Sequence, residues 1–537
     1  MKGNKEKVII ISDKLFPVTF SLLPFPYHLF PITYFMKFLL GIDIGSSSVK
    51  VSLVEAETGK TFGSAQSPRT EMKIDAPQPG WAEQDPEMWW KELIQAIGYL
   101  HARVSFKAEE IMAIGISYQM HGLVLVDKNQ KVLRPAIIWC DSRAVDIGEK
   151  AFNTLNAPRD YKGKNYCFEN YLNAPGNFTA SKLRWVMENE PHIWDQTDKM
   201  MLPGDYIAMR LTGDACTTVS GLSEGVLWDF KNKKIAERLM QAYGFNETVI
   251  SKIVPTFGEQ GYVTSFAASA LGLSAGTPVT YRAGDQPNNA FSLNVLNPGD
   301  VAATAGTSGV IYGVSEFSEY DQQSRVNTFV HVNDSSKLKA TRNGVLLCIN
   351  GTGIANAWLK KITNSVSYEA MNNEAMKVPI GSEGVIILPF GNGAERIFNN
   401  KQLGGQWHGL DFNRHTQAHL FRATQEGIVF SLNYGLEIMK TVGVQAKNIR
   451  AGHANMFLSP LFREIFANTT SATIELFDTD GATGAARGAG VGVGYYENFS
   501  EAFVGLKKIA TIEPEKKMQA QYSEAYQKWL TVLGKKL

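Results

Sequence analysis

From Met36 onward, short apolar runs alternate with amphipathic stretches, the rhythm of an α/β protein. Runs rich in Val, Ile and Leu predict strands over 37–44, 49–54, 111–117, 123–127 and 136–139. Apolar positions three and four apart predict helices over 86–101, 179–190 and 205–211, with Asp85 as N-cap of the first. The same text resumes in the second half. Strands are predicted there over 301–304, 310–314, 344–349 and 384–388, and helices over 350–362, 415–440 and 485–497. A Gly- and Asn-rich stretch over 391–406 reads as a long loop, of the kind that is functional or mobile in compact domains.

Two strand–turn–strand units share one kind of turn. Leu39-Leu40-Gly41-Ile42-Asp43-Ile44 leads into Gly45-Ser46-Ser47-Ser48, and Val301-Ala302-Ala303-Thr304-Ala305 leads into Gly306-Thr307-Ser308-Gly309. Turns of glycine and small hydroxyl residues expose backbone N–H groups that can hold phosphate oxygens with no side chain in the way. Each alone could be an ordinary hairpin; a facing pair would clamp a polyphosphate, which points to ATP in a cleft between two related halves. Asp43 stands in the first copy where the second has the neutral Thr304. An acid in an apolar strand needs a partner, and beside a nucleotide that partner is Mg²⁺ or its bound water. No GxxxxGK[ST] occurs, so a P-loop does not carry the nucleotide. Gly351-Thr352-Gly353 nearly spells a dinucleotide fingerprint, but Asn356 replaces the third glycine. That helix start is expected to pack on the sheet or line the nucleotide cleft. The fold class expected is α/β: two ribonuclease H-like, actin-type ATPase domains with the active site between them. The expected division is 1–35 extraneous, 36–287 the first domain and 288–537 the second.

Length and charge narrow the picture. At 537 residues the chain is too long for one core. Lys and Arg number 53 against 52 Asp and Glu, with no basic block, which argues against a nucleic-acid partner. Cys140, Cys167, Cys216 and Cys348 form no C-x-x-C and read as buried thiols of a reducing compartment, the cytoplasm. His415 and His419 have helical spacing but no third ligand near them, so no metal site is expected there. Residues 1–35 carry Asp13, Lys14, Pro17, Pro24, Pro26 and Pro31 within an apolar run, which suits neither a signal peptide nor a spanning helix. Met36 is the expected true start, and no membrane partner is expected.

Further motifs carry a resemblance. Gly80-Trp81-Ala82-Glu83-Gln84-Asp85-Pro86-Glu87-Met88-Trp89-Trp90 is followed by Tyr118-Gln119-Met120-His121-Gly122 and by Arg134-Pro135-Ala136-Ile137-Ile138-Trp139-Cys140-Asp141-Ser142-Arg143. Phe178-Thr179-Ala180-Ser181-Lys182-Leu183-Arg184-Trp185-Val186 comes next, then Gly405-Gln406-Trp407-His408-Gly409-Leu410 and Ala423-Thr424-Gln425-Glu426-Gly427. In this order, over nearly everything from Met36, they resemble the FGGY carbohydrate kinases, and within that family those acting on D-xylulose. The resemblance implies ATP- and Mg²⁺-dependent phosphorylation of a ketopentose, D-xylulose to D-xylulose 5-phosphate in xylose catabolism, by a cytoplasmic protein; a homodimer is a family expectation. Another FGGY substrate (ribulose, gluconate, glycerol or an autoinducer-type molecule) is the alternative. An actin-type ATPase switch and a sugar-binding regulator are rivals from other classes.

Residue by residue, Asp285 follows a strand-like run at a helix start, where it could be an N-cap or a proton acceptor for a sugar hydroxyl; the resemblance makes it the base. The helix dipole is expected to keep it ionised. The resemblance assigns Met120 and His121 to the sugar; Trp81 either stacks on it or serves the core. Gly45, Ser46 and Ser47 with Gly306, Thr307 and Ser308 are expected at the phosphates, and Asp43 at Mg²⁺ through water. Ala451-Gly452-His453-Ala454-Asn455 occupies the place of the family's adenosine loop, with Ala451 and His453 replacing two glycines, so Gly452 and Asn455 are assigned to that wall. Gly393-Ala394-Glu395-Arg396 resembles the family's Gly-Glu-Arg with one residue inserted, and Gln286 resembles the glycerol-kinase branch.

Overall fold

The computed structural model describes residues 36–157, 165–335 and 340–537, so the proposed extension over 1–35 lies outside the described residues. In the first half, β1 (Phe38–Ile44), β2 (Val49–Glu55), β3 (Thr61–Ser67), β4 (Ile111–Tyr118) and β5 (Val279–Gly284) form one sheet in the order β5-β4-β1-β2-β3. β1 and β2 run antiparallel, as do β2 and β3, whereas β4 lies parallel to both β1 and β5. The second half repeats this plan. There β6 (Val301–Ala305), β7 (Gly309–Ser315), β8 (Asn327–Val330), β9 (Asn343–Ile349), β10 (Asn448–Gly452), β11 (Thr473–Phe477) and β12 (Lys508–Ile512) order as β8-β9-β7-β6-β10-β11-β12. Around β6 the directions are again antiparallel on one side and parallel on the other. Two copies of the antiparallel-then-parallel sheet are the ribonuclease H-like duplication.

Helices cover the sheets because successive strand residues point to opposite faces. Phe38, Leu40 and Ile42 of β1 meet Trp89, Trp90 and Leu93 of α1 (Pro86–Arg103), whose N-cap is Asp85, accepting from the Glu87 N–H at 2.9 Å. Leu39 faces the other way, onto a helix that comes from the far end of the chain, α2 (Gly481–Gly492). Its small residues lie directly on the strands: a Cβ at Gly41 would overlap the Ala482 carbonyl, and one at Gly115 the Ala485 carbonyl. Asp43, two residues beyond Gly41, falls on the same face and so meets the start of this helix.

The predicted strands recur within a residue or two for β1, β2, β4, β6, β7 and β9. The helix predicted over 485–497 starts earlier, at Gly481, because Asp480 accepts from the Thr483 N–H at 2.7 Å and caps it. The one predicted from 350 begins at Gly353. The stretch 391–406 is less irregular than predicted: it holds a turn of 3₁₀ helix over Arg396–Phe398 and enters the strand Gly404–His408, which pairs with Ile386–Phe390. Cys167 and Cys216 are buried as expected, but Cys140 is exposed and Cys348 half-buried. Among the described residues, no helix is long and apolar enough to cross a membrane.

Candidate active site

Parallel strands end on the same edge of a sheet, and there the chain leaves for loops free to carry polar groups. On the first sheet that edge holds Asp43 near the end of β1, the Gln119-Met120-His121-Gly122 turn after β4, and Asp285 after β5. On the second it holds Gly306 after β6, the segment from His453 to Asn455 after β10, and Asp480 after β11. The two edges meet: a Cβ on Gly481 would lie 2.5 Å from Asp43 Oδ2, and the Asp480 charge is within reach of the Asp43 carboxyl.

Asp43 is half-buried and accepts from Ser117 Oγ at 2.8 Å. Burial raises its pKa, against the Ser117 hydrogen bond and the charge of Lys50, its cross-strand neighbour. Among the described residues, no group of three His, Cys, Asp or Glu side chains could hold a metal ion. A single carboxylate beside a phosphate-type turn nevertheless suits Mg²⁺, which keeps its waters and takes most ligands from a nucleotide.

The first turn is closed by the Gly45 N–H donating to the Ser48 carbonyl at 3.0 Å, with Ser47 exposed. Gln84 braces it, donating from Nε2 to the Ser46 carbonyl at 2.8 Å while its Oε1 accepts from Trp89 and Gln119. In the second turn, the Gly306 and Thr307 carbonyls accept from the N–H groups of Gly353 and Ile354 at 2.8 and 3.1 Å. Gly306, Thr307, Gly353, Asn356, Tyr368 and Asn455 line a cavity of about 480 Å³, and Asn356 Oδ1 is buried there without a hydrogen-bond partner. Gly353 thus packs on the second turn and lines this cavity. Ser308 is not on this lining; it turns toward Cys348 of β9. Gly452, assigned to the same wall as Asn455, also lies off it, its open side 3.5 Å from the Thr479 carbonyl.

Asp285 is the first residue of α3 (Asp285–Ser292), and the cap position belongs to Gly284, whose backbone is extended. The N-cap alternative is therefore set aside. Gln286 Nε2 donates to Asp285 Oδ2 at 3.1 Å. The expectation that the helix dipole keeps Asp285 ionised is also corrected: burial first, then the Asp43 charge, push its pKa up to about 7.

His121 has left-handed backbone, φ 60°. Its Nδ1 lies 2.9 Å from the Glu224 carbonyl, an oxygen that can only accept, so Nδ1 carries the proton and Nε2 is left as an acceptor. Burial pushes the ring's pKa down to about 3, so it is neutral. Phe178 packs its edge on the imidazole with centroids 5.0 Å apart, and buried Lys182 donates to the His121 and Ile138 carbonyls at 2.9 Å. Met120 is buried against Gly284. Trp81 is half-buried, with the Arg143 guanidinium 3.8 Å over its ring and Trp185 at its edge. Arg143 is itself held by Asp141 and Glu83. One face of Trp81 is thus committed to the protein.

Sequence reasoning missed Glu224. Its side chain accepts from the His121 N–H at 3.3 Å, and a Cβ on Gly284 would overlap its Oε2, so it sits between the His121 turn and the root of Asp285. Burial first holds its carboxyl protonated, well above the usual range. A Glu inside a short helix gave no signal for this. His415 and His419 pack ring to ring and accept from the N–H groups of Asp411 and Thr416.

Two ribonuclease H-like halves, each with a glycine–hydroxyl turn after its first strand, define the actin-type phosphotransferase class. The chain matches the model of the FGGY family of carbohydrate kinases, N-terminal domain, over residues 38–292, and that of the C-terminal domain over 301–492. It is 29% identical over 493 residues to the xylulose kinase of Escherichia coli strain K12, covering 91% of this chain and 96% of that one. A xyloylose kinase from Brucella ovis superposes with a TM-score of 0.80 at 27% identity, over 92% of this chain and 98% of that one. The gluconate kinase of Lactobacillus acidophilus, at 21% identity, shares the fold with a TM-score of 0.81 over 93% and 97% of the two chains. The chain belongs to the FGGY family of carbohydrate kinases. It is a carbohydrate kinase, and its family takes phosphate from ATP.

Proposed function

We propose that the protein transfers the γ-phosphoryl group of ATP to D-xylulose, giving D-xylulose 5-phosphate in xylose catabolism. The observation that carries the reading is the placement of Asp285, a carboxylate poised near neutrality, beside Asp43 at the meeting of the two strand edges. His121 and Met120 stand on the neighbouring strand end. His121 Nε2 accepts from a sugar hydroxyl, Met120 and the open side of Trp81 pack on its carbons, and Asp285 takes the proton of the attacking hydroxyl. Gly45, Ser46 and Ser47 with Gly306, Thr307 and Ser308 hold the phosphates, and Asn455, backed by Gly452, borders the nucleoside. Asp43 would hold Mg²⁺ through its waters; the ion supplies charge neutralisation along the phosphates. Excluding water as the two halves close keeps ATP from hydrolysis without sugar.

The relatives named xylulose kinase favour D-xylulose over the gluconate and glycerol alternatives, and the neutral His121 suits an uncharged hydroxyl. We place the domain division at 36–287 and 288–537 and the protein in the cytoplasm. The test is product identity: phosphorus NMR of the reaction with D-xylulose, with proton coupling to locate the ester. A single ester at the C5 oxygen supports the reading, and an ester elsewhere or inorganic phosphate alone overturns it.

A further inference from the structure

Arg396 is half-buried, and among the described residues its side chain has no hydrogen bond or ion pair. The Phe178 ring lies 5.4 Å from its guanidinium carbon, and Phe178 in turn packs on His121. The acid beside it does not neutralise it. Fully buried Glu395 spends both carboxylate oxygens on the N–H groups of Asn350 and Gly351, at 3.0 to 3.2 Å. Those bonds tie the turn Arg396–Phe398 to the end of β9. β9 pairs with β7 directly after the second glycine–hydroxyl turn, Gly309 opposite Ile349 and Val310 opposite Cys348. Arg396 is therefore carried on a segment tied to the strand behind the second turn, and its guanidinium reaches Phe178, which packs on the His121 turn of the other half. Its charge acts on both His121 and Cys348, and Cys348 also feels Asp285 and bonds Ser308.

A partly buried cation without a counter-ion is unfavourable, and a bound anion would relieve it. We infer that Arg396 is a catalytic residue whose guanidinium grips the phosphoryl group in flight between ATP and the sugar, and then the phosphate of the product. The acceptor oxygen forms its bond to the γ-phosphorus as the bond from that phosphorus to the β–γ bridging oxygen breaks. The hydroxyl proton goes to Asp285, and ADP leaves with the electron pair. The planar fork of arginine matches two phosphoryl oxygens at once, which a lysine ammonium does not. The inference deepens the kinase reading and rests on it.

The test uses the full chain with Arg396→Met and Arg396→Lys, each checked for folding by thermal melting and ADP binding. Steady-state turnover is measured alongside calorimetric titration with D-xylulose and, separately, D-xylulose 5-phosphate. Arg396→Met is expected to lower kcat by about 10²–10³-fold. Affinity for D-xylulose should move by less than about threefold, while that for D-xylulose 5-phosphate falls by about tenfold or more, as for a lost charge-assisted contact. Arg396→Lys recovers part of both, and carries the test if the Met variant does not fold. Equal losses for sugar and sugar phosphate would assign Arg396 to the sugar and overturn the inference, as would kcat within about tenfold of the parent. If the parent phosphorylates a different sugar, the D-xylulose reading falls while the inference is tested with that sugar and its phosphate. A parent that phosphorylates no sugar overturns both.

Discussion

Asp285→Asn keeps the shape of the side chain and removes its charge, and the account predicts opposite effects on rate and on stability. Loss of a general base costs about 10²–10⁴-fold in kcat. The stability effect follows from the upward shift of the Asp285 carboxyl from 3.8 to about 7. Between about pH 4 and pH 7 the folded protein holds a proton that the unfolded chain has released. The contribution of this group is thus fully present below its unfolded value and is lost as pH rises through 7. Three pH units at about 1.4 kcal/mol each set a ceiling of roughly 4 kcal/mol, and partial solvent screening brings the effect to about 2 kcal/mol. Asn has no charge to bury, so the variant avoids that loss.

Thermal unfolding of parent and variant at pH 5 and pH 8, without ligands, reads the difference; each kcal/mol moves Tm by roughly 2–4 °C in large domains. The variant's advantage should widen between the two pH values while its turnover collapses. In the parent, kcat/KM should fall on the acid side of about pH 7, to about a tenth of its plateau one unit below. A Tm difference that does not depend on pH, or turnover above about a hundredth of the parent, would refute the reasoning.

Two further outcomes test the neighbouring parts. Asp43→Ala should raise the Mg²⁺ concentration needed for half-maximal rate by about tenfold or more and leave the sugar KM near the parent's; an unchanged metal dependence would contradict the role given to Asp43. In Gly353→Ala the new Cβ would overlap the Gly306 carbonyl, a backbone atom that must move. The second phosphate turn moves with it, and KM for ATP should rise by about tenfold while D-xylulose binding is kept; an unaltered KM for ATP would show that this turn does not touch the nucleotide.

Much of the frame was readable from local chemistry. The strands flanking each glycine–hydroxyl turn announced themselves by Val, Ile and Leu runs, and Asp85 followed by Pro86 marked a helix start that the structure keeps. Strands with polar content did not: β11 reads Thr-Ile-Glu-Leu-Phe, and β12 is a half-exposed edge strand. The early start of α2 was hidden because Gly481, Thr483 and Gly484 are poor helix formers; their value lies in closeness to β1 and β4, a tertiary fact. The ionisation of Asp285 was misjudged for a similar reason. A helix N-terminus is visible in a sequence, but the burial that opposes it, and then the charge of Asp43 on a distant strand, are tertiary. Glu224 and Arg396 gain their meaning only from what surrounds them: the first a buried acid behind His121, the second a cation with no ion pair among the described residues.

The central claim is sugar-dependent phosphoryl transfer with D-xylulose as acceptor. The most direct measurement couples ADP release to a spectroscopic readout, with ATP and Mg²⁺, across D-xylulose, D-ribulose, gluconate and glycerol. The account predicts kcat/KM for D-xylulose above every other acceptor by about a hundredfold or more, the discrimination a hydrogen-bonding site can reach. Preference for another acceptor would contradict the substrate, and no acceptor-dependent ADP from folded, ATP-binding protein would contradict the mechanism.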